Sequence, residues 1–131
     1  ETFNEFAKLG LKIMVTELDV QVLPDAKPYR GADLTTNAAL RAQLDLYPKG
    51  LPASVQKEFT RRYAELFGVF LKHRDRIERV TFWGVTDANT WLDYWPVRPR
   101  TDYPLLFDRE GKPKPAFEAV IETAREFKRK K

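Results

Sequence analysis

Cysteine is absent from the 131 residues, and histidine and methionine occur once each. No apolar run comes near the ~18 residues of a membrane span. The missing thiols exclude a disulfide framework and any thiolate metal site. The one histidine, His73, sits at a predicted helix end among Lys72, Arg74 and Arg76. It has no cluster of ligand spacing around it, and a cation is favoured at a helix C-terminus. No histidine is left to serve a serine nucleophile, and there is no glycine-rich phosphate loop and no metal-ligand spacing. A basic face is lacking too. The net charge of +4 comes entirely from Lys128, Arg129, Lys130 and Lys131, because the rest of the chain carries 19 basic and 19 acidic residues. A nucleic-acid footprint spreads over a face or groove, so a solvated tail is the simpler reading. No signal peptide is visible, and the chain opens at Glu1 without a methionine, which leaves a processed or truncated N-terminus open.

What is present is a folded chain of single-domain size, 43% hydrophobic and 13% aromatic, too apolar to be disordered. Phe3, Phe6, Ala7 and Leu9 fall at helical spacing, with Thr2 as a candidate N-cap and Gly10 as the stop. So short an element reads as the end of a longer helix. Residues 11–20, LKIMVTELDV, are apolar on both alternating faces after Lys12 until the C-terminal end, the pattern of a strand buried on both sides. A proline-rich connection over 21–52 carries a short predicted helix over 36–46. Residues 53–73 form the clearest helix, with Val55, Phe59, Tyr63, Leu66, Phe67, Phe70 and Leu71 in one stripe. A second strand is predicted over 78–85, and an irregular stretch rich in aromatics follows over 86–114. A last helix starts at Pro115, with Phe117, Val120, Ile121, Ala124 and Phe127 inward. The order is β-α-β-α with parallel strands. Two helices do not cover two such strands and both sheet edges, so the chain is expected to be the closing portion of a larger α/β protein.

Glu17 and Asp19 share one strand face at its C-terminal end. Carboxylates there are costly unless they are paired or take part in chemistry. They form either an active-site wall or a strand cap paired with loop arginines such as Arg30 or Arg98. Neighbours on one face do not flank a glycosidic bond from opposite sides, so they do not make an acid/base pair by themselves. Trp83, Trp91 and Trp95 have two readings as well: flat faces for pyranose rings, or a satellite hydrophobic cluster under a long loop.

Five ordered blocks narrow these alternatives: Val15–Val20 (VTELDV), Thr81–Asp87 (TFWGVTD), Thr90–Leu92 (TWL), Tyr103–Asp108 (YPLLFD) and Lys112–Phe117 (KPKPAF). Together they resemble glycoside hydrolase family 10, the endo-1,4-β-xylanases, from about Leu9 to Ile121. The resemblance implies an α/β fold, a (β/α)8 TIM barrel of which residues 1–131 hold only the last two βα units, strands seven and eight. It implies a retaining mechanism with Glu17 as nucleophile, Asp19 as a supporting residue, and Trp83 and Trp91 against the sugars. No cofactor or metal is implied. The substrate would be xylan or xylo-oligosaccharide, and secretion or a periplasmic location follows only from a polymeric substrate.

The family's acid/base glutamate lies on the fourth strand and the nucleophile's histidine partner on the sixth, and no residue here stands in for either. The chain alone is therefore expected to be inert, its partner being the N-terminal part of the barrel or another copy of itself. Two local departures are Pro99, where a glycine is common, and Asp93-Tyr94-Trp95, where an Asn-Asn-Phe-like run is frequent. A non-catalytic glycan-binding module using Trp83, Trp91 and Trp95, or a barrel-completing fragment, are the rival readings.

Overall fold

The computed structural model describes residues 2–129. Lys130 and Lys131, half of the basic tail, lie outside the described residues. The chain runs α1 (Thr2–Lys8), β1 (Ile13–Leu18), α2 (Ala38–Leu44), α3 (Ala53–Lys72), β2 (Ile77–Phe82) and α4 (Pro115–Arg129), with short 3₁₀ turns at Lys27–Tyr29, Asp87–Asn89 and Trp91–Asp93. Gly10 follows α1 with φ 73°, the left-handed stop its position calls for. Thr2 is already helical and does not act as the cap. Asn37 caps α2 by accepting the Leu40 N–H at 3.0 Å.

β1 and β2 pair in parallel, Ile13 opposite Ile77, Val15 opposite Val80 and Leu18 opposite Phe82. Between the last two rungs β1 spends three residues against two on β2, and this irregularity re-aims its side chains. Val15 and Leu18 both pack into the core, where strict alternation would separate them. The sheet is covered on one side only. Ile77, Val80 and Phe82 pack with Phe59, Tyr63, Phe67 and Phe70 of α3 and Ala116, Phe117 and Val120 of α4. Met14, Thr16, Glu17, Arg79 and Thr81 are exposed. The strands are therefore not buried on both faces within the described residues.

An aromatic ladder joins α3 to β2, with Phe82 stacked on Tyr63 at 6.2 Å and on Phe67 at 6.1 Å, and Phe59 edge-on to Tyr63 at 5.0 Å. Each fully buried large apolar side chain contributes roughly 1.5–3 kcal/mol, which makes this face the main source of stability. The polar face of α3 carries Glu58 between Arg61 and Arg62. His73 follows α3 as its C-cap and stacks on Phe3 of α1 at 5.4 Å. No helix among the described residues is long and apolar enough to cross a membrane.

Tyr63 is fully buried, and its hydroxyl donates to the Pro104 carbonyl at 2.6 Å, tying the ladder to the loop above it. Burial pushes the phenol well above its ordinary value, helped by the negative charges of Asp19 and Asp87. Tyr63→Phe leaves that carbonyl unpaired and is expected to lower the unfolding free energy by about 1–2 kcal/mol in urea titrations. An unchanged midpoint would mean that the bond contributes nothing.

Candidate active site

Parallel pairing brings the C-terminal ends of β1 and β2 to one end of the sheet. The last rung is the Trp83 N–H donating to the Leu18 carbonyl at 3.0 Å, so Trp83 lies beside the Glu17–Asp19 segment. Gly84 follows with φ 134°, and a Cβ there would meet Leu105 Cδ1 at 2.9 Å. Only glycine allows the chain to leave the strand at this point with Leu105 so close. The loop then returns over the strand ends through the 3₁₀ turn of Trp91, whose indole Nε1–H donates to Asp19 Oδ2 at 2.8 Å. This bond is a side-chain tie between the two strand ends.

Glu17 is exposed and, among the described residues, makes no side-chain hydrogen bond and no ion pair. The arginine pairing that the sequence allowed does not form. Arg30 lies over the Trp95 ring at 5.3 Å, and Asp19 is engaged by Trp91. Trp83, Trp91 and Trp95 are 48%, 41% and 45% exposed, so they are not a buried satellite cluster. The mouth thus holds an unpaired carboxylate, a second carboxylate held by an indole, and open aromatic surface. Among the described residues there is no group of three or more His, Cys, Asp or Glu side chains able to hold a metal ion.

The loop is shaped by buried charge that sequence reading did not single out. Asp87 Oδ1 accepts the Leu105 N–H at 2.9 Å, and Oδ2 accepts from Lys114 Nζ at 2.9 Å. The ammonium also donates to the Tyr103 carbonyl at 2.8 Å and sits 4.1 Å from the Phe59 ring centroid. Asp93 accepts from the Asp102 N–H at 2.8 Å and from Arg109 at 2.9 Å. Asp102 in turn accepts from the N–H groups of Tyr103 at 2.8 Å and Val22 at 3.3 Å, linking the loop after β2 to the loop after β1. Burial pushes the Asp87, Asp93 and Asp102 carboxyls up and the Lys114 ammonium down, each opposed by its hydrogen bonds and partner charges. Asp87 and Lys114 are 27 residues apart in sequence, and only closure of the loop buries them together.

Carboxylates and open indoles gathered at the ends of two parallel strands, above a βαβα unit, make the chain α/β, and its family and structural matches make these two βα units part of a (β/α)8 barrel. The chain belongs to glycosyl hydrolase family 10, whose family model matches residues 1–123. It is 41% identical over 120 residues to Endo-1,4-beta-xylanase A of Xylanibacter ruminicola, covering 92% of this chain and 32% of that protein. The structure of a GH10 endoxylanase retrieved from sugarcane soil metagenome matches with a TM-score of 0.80 at 40% identity, covering 92% of this chain and 33% of that one. A mutant structure in complex with xylotriose matches with a TM-score of 0.71 at 35% identity, covering 92% and 32% of the two chains. The chain therefore spans about a third of the length of these relatives.

Two outcomes are expected. Asp19→Ala frees the Trp91 indole, whose N–H resonance should shift and lose exchange protection in NMR while the other two indoles stay put; Asp19→Asn, which keeps an acceptor, should move it less. Lys114→Met strands the Asp87 carboxylate in the interior and should cost about 3–5 kcal/mol at neutral pH. Without the ammonium, Asp87's folded pKa rises further above the unfolded value of about 3.9. The folded state then binds the extra proton, so the loss should shrink as pH falls through that window. A loss independent of pH would contradict the assignment.

Proposed function

We propose that these residues supply the nucleophile-bearing part of a retaining endo-1,4-β-xylanase acting on xylan or xylo-oligosaccharides. Glu17 is the nucleophile. Its carboxylate attacks the anomeric carbon, the bond to the leaving oxygen breaks, and water later hydrolyses the glycosyl ester. Asp19 is the supporting residue: it accepts the Trp91 N–H and so fixes an indole beside the nucleophile. Trp83 and Trp91 offer the exposed faces on which sugar rings stack. The observation that carries the reading is the Glu17 carboxylate, exposed and without a side-chain partner among the described residues at the end of β1, next to the Asp19–Trp91 bond.

A retaining mechanism needs a second carboxyl to protonate the leaving oxygen and later deprotonate water, about 5–5.5 Å from the first. Asp19 is a poor candidate, since it follows Glu17 on the same strand end and is held by Trp91. The general acid therefore belongs to the remainder of the barrel, and residues 1–131 are inert by themselves. Their partner is that remainder, and the enzyme acts outside the cytoplasm, where xylan is found.

The test uses a chimeric barrel in which this chain replaces the matching third of the sugarcane-soil endoxylanase. The chimera should release reducing sugar from xylan, whereas the isolated chain should release none. Glu17→Ala in the chimera should lower turnover by at least about 10⁴-fold. Turnover that survives this change would remove Glu17 from the mechanism.

A further inference from the structure

We infer that Arg100 and Asp102 are positioning residues: together they set where the strand end carrying Glu17 lies relative to the Trp91 indole. The inference rests on the reading of Glu17 as nucleophile and adds the device that aims it. Beyond the end of β1, residues 20–24 lie antiparallel to residues 100–104 in steps of two. Val20 N–H donates to the Pro104 carbonyl at 3.2 Å, Val22 N–H to Asp102 Oδ1 at 3.3 Å, and Arg100 Nη2–H to the Pro24 carbonyl at 3.0 Å. Only the first of these rungs joins two backbones. In the other two a side chain stands in for the backbone group.

The backbones of the same two residues hold the Trp91 turn. Arg100 N–H donates to the Asp93 carbonyl at 2.9 Å, and Asp102 N–H to Asp93 Oδ1 at 2.8 Å. Asp93 closes the 3₁₀ turn that opens at Trp91. The Trp91 indole then returns to Asp19 at 2.8 Å. Thr101, between the two, donates its N–H to Asp45 Oδ1 at 2.9 Å, a further tie to the connection after β1. A closed circuit therefore runs from Asp19 along the chain to Val22, across to Asp102 and Asp93, and back through Trp91. Glu17 sits beside it. The side chains of Arg100 and Asp102 serve the nucleophile's segment while their N–H groups serve the stacking surface, so neither half moves without straining the other.

These ties are costly, which argues against a role in stability alone. Arg100 is 3% exposed and Asp102 0%. Neither forms an ion pair among the described residues, and Arg100 Nε and Nη1 and Asp102 Oδ2 have no hydrogen-bond partner there. Burial pushes the guanidinium down and the carboxyl up, against their attraction for each other. Buried charge that is incompletely paired lowers stability, and a backbone rung like that of Val20 would join the segments without it. Such arrangements persist at functional sites, where the geometry they impose is used. Here they impose a fixed separation between the nucleophile and the stacking surface, and a shift of about 1 Å in such a relation is enough to slow a reaction about 10²-fold.

Steady-state kinetics of the chimeric barrel on xylohexaose test this. Asp102→Ala removes the Val22 rung and leaves the Asp102 N–H on Asp93, so the nucleophile's segment is released while the stacking surface stays. Its kcat should fall about tenfold to a hundredfold with KM within about twofold. Asp102→Asn keeps the oxygen that accepts from Val22 and Tyr103 and should restore most of the rate. The double variant Arg100→Met/Asp102→Asn removes both buried charges and so should melt no lower than the unaltered chimera. It lacks the Pro24 rung, and its kcat should still fall severalfold, which keeps the test open if Asp102→Ala does not fold. Unchanged kcat in either Asp102→Ala or the double variant, a rise in KM alone, or a loss that Asp102→Asn does not relieve overturns the positioning role and leaves Glu17 as nucleophile. A chimera that stays active after Glu17→Ala overturns both.

Discussion

The parallel pairing of β1 with β2 is the constraint on which the site depends. Parallel strands send both C-termini the same way, so the carboxylates closing β1 and the tryptophan following β2 arrive at one rim. An antiparallel pair would put Glu17 and Trp83 at opposite ends. The pairing needs a long crossover, which α3 supplies, and the Tyr63–Phe82–Phe67 stack fixes that helix against the sheet. Stability and site geometry therefore share a cause: the ring cluster that gives the chain its core also sets where its strands end.

Above the rim, order comes from charge. The Asp87–Lys114 pair is almost wholly inaccessible, at 0% and 6% side-chain exposure. Such pairs contribute little net stability because desolvation offsets their attraction. Their effect is geometric. Asp87, Asp93 and Asp102 each accept a backbone N–H from the 102–105 segment, so the loop is laced to one path over the strand ends. The path leaves Trp91 within reach of Asp19 and Trp95 facing outward. Acidic residues in this region are thus divided by environment. The buried ones are structural, and the exposed Glu17 has no partner among the described residues.

Local pattern made the elements legible. The stripe on α3, Pro115 opening α4 and Gly10 ending α1 are short-range signals, and the helix and β1 bounds fall within two residues of those read from periodicity, whereas β2 ends at Phe82, three residues before the expected Val85. The register break between Val15 and Leu18 was not legible, because it arises from pairing with another strand. Nor was the one-sided covering of the sheet, since apolar alternation reports what a strand is suited to and says nothing of what packs on it. At the site, Glu17, Asp19, Trp83 and Trp91 were named from position and from the family blocks. The tie from Asp19 to Trp91 spans 72 residues, and spacing alone leaves an active-site wall and a pairing with loop arginines both open. Asp87 and Lys114 escaped for a related reason: charge in an irregular stretch reads as solvent-facing until the loop is seen to close.

The central claim is that the Glu17 carboxylate bonds covalently to the sugar. A 2-deoxy-2-fluoro-xylobioside with a good leaving group slows release of a glycosyl ester and allows it to accumulate. After incubation with the chimeric barrel, peptide mass spectrometry should find the fluorinated disaccharide esterified to Glu17. The adduct on another carboxylate, or steady turnover with no adduct, would contradict the account.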